Sequence, residues 1–223
     1  PRAIEYHTQA IKTADPLAVN RHPAIRLAAK EVLIDAHLGA AHDIAWGNWN
    51  EQELAVSRWL NRAAAFAEEY IDNDGGSVEH RFRVAHRALS ASIGLEGAID
   101  PTEWADVALE SGQEFTASLT DEAQKRQTQW QLGLALYDAV QVYQLRSEHD
   151  LAFRYGQKAA KCLEEGIVGR NGPAEKYLLG RLYFRLGAIQ AVGESNHQVA
   201  IGWFDKASDL FGQAAGHITP QET

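Results

Sequence analysis

The chain has no methionine and a single cysteine, Cys162, among 223 residues. One thiol excludes an internal disulfide. Its setting between Lys158 and Gly166 is helical and partly apolar, so a packed thiol is expected there rather than a nucleophile. No apolar run approaches the roughly 20 residues that a bilayer-spanning helix needs, and no signal-peptide pattern opens the chain. Cationic excess is also missing. Twenty-one lysines and arginines against 30 acidic residues give a net charge of −9, which argues against the basic footprint of general nucleic-acid binding. Chemistry-bearing motifs are absent too: there is no His-Glu-x-x-His, no glycine-rich phosphate loop after a strand and no Cys-x-x-Cys. His37 and His42 are five apart and His80 and His86 six apart, neither being the i, i+4 spacing that places two ligands on one helix face. The histidines therefore read as solvated or cap-adjacent, with His149 and His197 near helix starts. Glu68-Glu69 and Glu164-Glu165 read as solvated helix ends. The expectation is a non-enzyme without metal or cofactor, in a cytoplasmic setting.

What the sequence does have is helical periodicity, most clearly from Glu175 to Ala207. Leu178, Leu179, Leu182, Tyr183 and Leu186 recur at three- and four-residue spacing, an apolar stripe down one side of a helix. Gly180 interrupts that stripe. Glycine costs roughly 1 kcal/mol against alanine in a helix interior, so a neighbouring backbone is expected to pass close there. Ser195 with Gln198 has the form of a capping box, and Val199, Ala200, Trp203, Phe204 and Ala207 come next as a second packing face.

Leu179, Gly180 and Tyr183, then Ala200, Phe204 and Ala207, resemble the tetratricopeptide-repeat signature of Leu-Gly-x-x-Tyr followed by Ala-x-x-x-Phe-x-x-Ala. The interval from Gly180 to Ala200 is too long for the standard unit of about 34 residues, so the hairpin is extended at its tip. A second-helix start should then recur upstream, since one hairpin cannot bury its apolar face alone. Asn50, Asp100, Ser147 and Ser195 are all good N-cap residues. Glu53, Glu103, Asp150 and Gln198 follow at plus three, and Ala55, Ala105, Ala152 and Ala200 at plus five, with cap-to-cap intervals of 50, 47 and 48 residues.

Along the chain, residues 1–20 read as the second helix of a preceding repeat, stopped by Asp15-Pro16. Hairpins are expected over about 23–72, 78–119, 121–165 and 173–215. Turns are expected at 46–49, at the Asp72-Asn-Asp-Gly-Gly-Ser77 break, and at 166–173, with Thr120 capping the helix from Asp121 and a frayed tail after Gly216. No strand-period run competes. A chain that lacks methionine and opens inside a repeat is expected to be a fragment of a larger protein. The fold expected is all-α: antiparallel hairpins stacked into a right-handed superhelix, a tetratricopeptide-like α-solenoid that behaves as one elongated domain.

The resemblance implies a protein–protein interaction scaffold whose first helices line a groove for a peptide or partner segment. Aligned on Leu179-Gly180, the groove positions are Tyr177, Arg181 and Phe184; aligned on Leu132-Gly133, they are Trp130, Leu134 and Tyr137. Arg185 lies beside that stripe, and Arg83 and Arg87 add charge from the second hairpin. Arginines over aromatics suit a partner with an acidic group and an apolar anchor. Equally, Trp130, Tyr137 and Phe184 could pack between hairpins as core. The lysine and asparagine of the chaperone-tail clamp found in some tetratricopeptide domains are not at the matching positions of the last two units, which hold Trp130 and Leu134, then Tyr177 and Arg181. Two other classes stay open: a helical enzyme or small-ligand sensor with its site inside the superhelix, and a structural spacer or dimerisation segment.

Overall fold

The computed structural model describes residues 2–47, 49–169, 172–193 and 195–216. Among them there is no strand; nine α-helices carry the chain. They are α1 (Arg2–Ala14), α2 (Pro23–Ala45), α3 (Gln52–Asp74), α4 (Glu79–Gly94), α5 (Thr102–Ser118), α6 (Glu122–Leu145), α7 (His149–Gly166), α8 (Pro173–Val192) and α9 (His197–Ala215), with a 3₁₀ turn at Asp15–Leu17 after α1. No helix among the described residues is long and apolar enough to cross a membrane. The expected turn at 46–49 and loop at 166–173 include positions outside the described residues, as does the tail beyond Gly216.

Helix starts 52, 102, 149 and 197 keep the intervals read from the sequence, and the fourth residue of each of these helices is an alanine. Ala105, Ala152 and Ala200 are buried. The caps differ from expectation, and the reason is local. Ser147 takes a left-handed conformation, φ 60°. Its N–H bonds the carbonyl of Gln144 at 3.0 Å, and that of Glu148 bonds Tyr143 at 2.8 Å. This is a Schellman closure, so Ser147 terminates α6 instead of starting α7. Glu96 (φ 53°) closes α4 in the same way, with Gly97 N–H on Ser92. Ser195 is also left-handed, and the side chain that caps α9 is that of Asn196, accepting from Val199 N–H at 3.3 Å. Asn50 likewise yields to Glu51 as the residue before α3, and Thr120 to Asp121, which accepts from Ala123 N–H. Asp100 does serve its helix, taking the N–H of Thr102 at 2.9 Å.

Two compact units divide the chain, Pro1–Phe115 and Thr116–Thr223. In the first, α2 packs along α3, α1 lies on α2, and α4 contacts both α2 and α3. Ile34, Leu38, Ala41 and Ile44 of α2 meet Val56, Leu60, Ala63 and Ala67 of α3 and Val84, Ala88 and Ala91 of α4. So many alanines let the helix axes approach closely. A polar clamp ties the start of α2 to the end of α3: Lys30 Nζ lies 2.5 Å from Asp74 and 2.7 Å from Glu69, and Arg26 Nε donates to Asp74 at 2.7 Å. Lys30 is only 2% exposed. Burial disfavours its charge, but the bonds to Asp74 and Glu69 outweigh that and raise its pKa. Those same bonds, from Lys30 and then Arg26, hold the Asp74 carboxyl below its usual range, as Arg81 does for Glu68.

In the second unit α6 pairs with α7 and α8 with α9, and α7 contacts α8. Tyr143 and Tyr155, stacked 5.4 Å apart, are fully buried, as are Leu132, Leu136, Leu163, Leu182 and Leu186. Glycines admit the large side chains: Leu163 packs into Gly133, Leu186 into Gly156, and the Trp130 backbone against Gly166.

Gly166→Ala would bring a methyl group to 2.6 Å from the Trp130 backbone nitrogen, and should cost about 1–3 kcal/mol in urea unfolding. Gly202→Ala, in open space within α9, should gain up to about 1 kcal/mol. Asp74 and Glu68 titrate lower folded than unfolded, so their contribution is complete above the unfolded carboxylate range and is lost as pH falls below about 4. Thermal scans from pH 6 to 2.5 should show the melting temperature falling there, with a shallower slope in Asp74→Asn.

Candidate functional site

The stripe Tyr177, Arg181, Phe184 runs along one face of α8, and the fold leaves it open. Tyr177 and Phe184 are each 53% exposed, and Arg181 is exposed with no ion-pair partner among the described residues. Beneath them α9 contributes Phe211, centred 5.5 Å from Tyr177, and Phe204, centred 5.4 Å from Phe184. These two rings rest on Gly180 and Gly187, where a Cβ would stand 2.8 and 2.7 Å from them. The close approach expected at Gly180 is therefore made by a phenylalanine ring. Seven residues, two helical turns, separate Tyr177 from Phe184 and Phe204 from Phe211, so the four rings form a patch about 10 Å long with a guanidinium at its middle.

Trp130 and Tyr137 occupy the corresponding places on α6, yet both are buried, at 8% and 5% exposure. Trp130 lies against Gly166 of α7. Tyr137 is covered by Arg185 of α8, whose guanidinium lies 5.6 Å from the ring centre. Arg185 donates to the Tyr137 hydroxyl at 3.0 Å, to Gln144 at 2.6 Å and to Gln141 at 3.2 Å. Its donors are thus engaged within the unit, and it does not stand over an open groove. The two stripes differ in what touches them within the unit. Gly166 of α7 and the Arg185 side chain of α8 lie against Trp130 and Tyr137, whereas Tyr177 and Phe184 keep half their surface exposed.

Charge from the first unit is divided. Arg83 is paired with Asp35, while Arg87 is exposed on α4. Phe204 and Phe211 are members of the open patch that the sequence pattern did not assign to it; the seven-residue repeat of aromatics on α9 is the signal that could have found them. The expectation of solvated or cap-adjacent histidines is corrected at His37, and at His80 only as to solvation, since His80 does lie in the first turn of α4. His37 and His80 are buried, at 2% and 6% exposure. His80 packs edge-on against Tyr70, and His37 lies between Trp59 and Phe66. Cys162 is buried, and that burial pushes its thiol up to about 11, which suppresses the thiolate at neutral pH. Tyr183 is likewise raised, first by burial and then by its hydrogen bond to Glu164.

Comparison with protein-family models, with curated proteins and with solved structures gives no match.

Arg185→Ala removes three hydrogen bonds and uncovers Tyr137, and should cost about 1–3 kcal/mol in chemical denaturation. Arg181→Ala should stay within about 0.5 kcal/mol of wild type.

Proposed function

We propose that this chain is a non-catalytic interaction scaffold of tetratricopeptide-like hairpins, stacked as a right-handed superhelix, that holds a segment of another protein on the α8/α9 face. The observation that carries this reading is the contrast between two equivalent stripes. Trp130 and Tyr137 are covered by the chain itself, while Tyr177 and Phe184 leave half their surface in water. A contiguous apolar patch of this kind is costly to solvate unless something covers it, and such patches mark interaction sites.

The chemistry of the patch narrows the occupant. Arg181 has no carboxylate partner among the described residues, in a protein with nine more acidic than basic side chains. A bound segment would supply that carboxylate, with apolar side chains seated near Tyr177 and Phe184. Aromatic anchors bury much area at low entropy cost, and arginine pairs with carboxylates in defined geometry. Catalysis has no comparable support, since the perturbed groups Tyr183, Cys162 and Lys30 are held in packed or paired settings.

Peptides selected from a random library on the wild-type protein should be enriched in an acidic residue flanked by large apolar ones. Arg181→Glu combined with Tyr177→Ala, at unchanged helicity and melting temperature, should weaken those peptides by at least about tenfold. Equal binding by the variant would remove the α8/α9 face as the site.

A further inference from the structure

The first unit has a concavity of its own. It is a cleft of about 680 Å³ where α1 and its 3₁₀ turn meet α2 and α3. One stripe of α3 supplies Arg58, Trp59, Arg62 and Phe66, at the three- and four-residue spacing that aligns side chains on a helix. His37 from α2, Asp15 from the 3₁₀ turn and Asn61 from α3 add further polar lining.

His37 sits at the wall between two rings, 5.1 Å from Trp59 and 5.4 Å from Phe66. Its Nδ1 is 2.6 Å from the carbonyl oxygen of Leu33. A carbonyl can only accept, so Nδ1 carries the proton, and in the neutral ring Nε2 is a bare acceptor. Burial lowers the pKa of His37, with Arg62 adding to the effect against the Leu33 bond and Asp15; the neutral ring is the form present near pH 7. Nε2 has no hydrogen-bond partner among the described residues. At the rim, Arg58 and Arg62 stand exposed one helical turn apart, and neither has an ion-pair partner among the described residues. Asp15 offsets one of these two charges and leaves the cleft net cationic in an acidic protein.

We infer that this cleft binds a small, flat organic acid that carries a hydroxyl group: the carboxylate on Arg58 and Arg62, the ring against Trp59 and Phe66, and the hydroxyl donating to His37 Nε2. Each part answers one otherwise unmatched feature of the cleft. An anion pairs with two adjacent guanidinium groups, an aromatic body fits the apolar wall, and an O–H donor meets an acceptor that no described side chain reaches. The inference is independent of the α8/α9 face, which lies in the other unit.

The test uses the full chain labelled with ¹⁵N and follows the Trp59 indole N–H while 4-hydroxyphenylacetate is added. Saturable shifts centred on Trp59 and His37 are expected. The matching amide, 4-hydroxyphenylacetamide, and the Arg58→Gln, Arg62→Gln double variant should each weaken binding by about tenfold or more. Phenylacetate should bind more weakly than its hydroxylated counterpart, a preference that His37→Phe should abolish. Non-saturating or scattered shifts, equal affinity for acid and amide, or undiminished binding by the arginine variant would each overturn the assignment. Both arginines are exposed, so that variant tests the proposal even if His37→Phe fails to fold.

Discussion

Close approach of helix backbones is the constraint on which the rest of this structure depends. The chain meets it with small residues wherever two helices cross. The residues that α9 fully buries are Ala200, Ala207 and Ala214, seven apart on one stripe, and α4 presents Ala85, Ala88 and Ala91 to its neighbours. In the second unit the device sharpens into glycine notches filled by leucine or phenylalanine from the facing helix. Interiors of this kind are packed as densely as organic crystals, so each notch fixes both the depth and the register of the side chain that enters it. The open aromatic face is a product of the same rule: Phe204 and Phe211 sink one side into α8 and leave the other side out.

The polar interactions do a different job. Lys30, Arg26, Asp74 and Glu69 join the beginning of α2 to the end of α3, a place where alanine contacts cannot set which helix end meets which. Burying an ammonium is costly unless it is paired, and here two carboxylates pair with it. Arg185 does the same in the second unit, reaching from α8 to three acceptors on α6.

Helix positions were legible in the sequence to within about two residues, because periodicity and Gly/Pro punctuation are local signals. The caps were not. Ser147 and Ser195 have cap-forming side chains, but both sit in left-handed backbone that ends one helix before the next begins, a conformation that composition does not reveal. The aromatic stripe was legible as a stripe, while its exposure was not, since whether Trp130 or Tyr177 is buried depends on long-range neighbours that local spacing does not encode. His37 left a faint trace: it continues the spacing of Leu33, Ala41 and Ile44 and so belongs to a buried face. Its cleft left none, because the walls come from three helices whose juxtaposition no local pattern encodes.

The glycine notches also carry a consequence for how such a chain can vary over time. At the crossing of α6 and α7 the small member is Gly133 and the bulky one Leu163. At the crossing of α8 and α9 the small member is Gly187 and the bulky one Phe204. Packing therefore constrains the summed volume at each crossing, not the volume at either site. A side chain gained at 187 demands room given up at 204, so substitutions at these two positions should be energetically coupled and tolerated best as a pair.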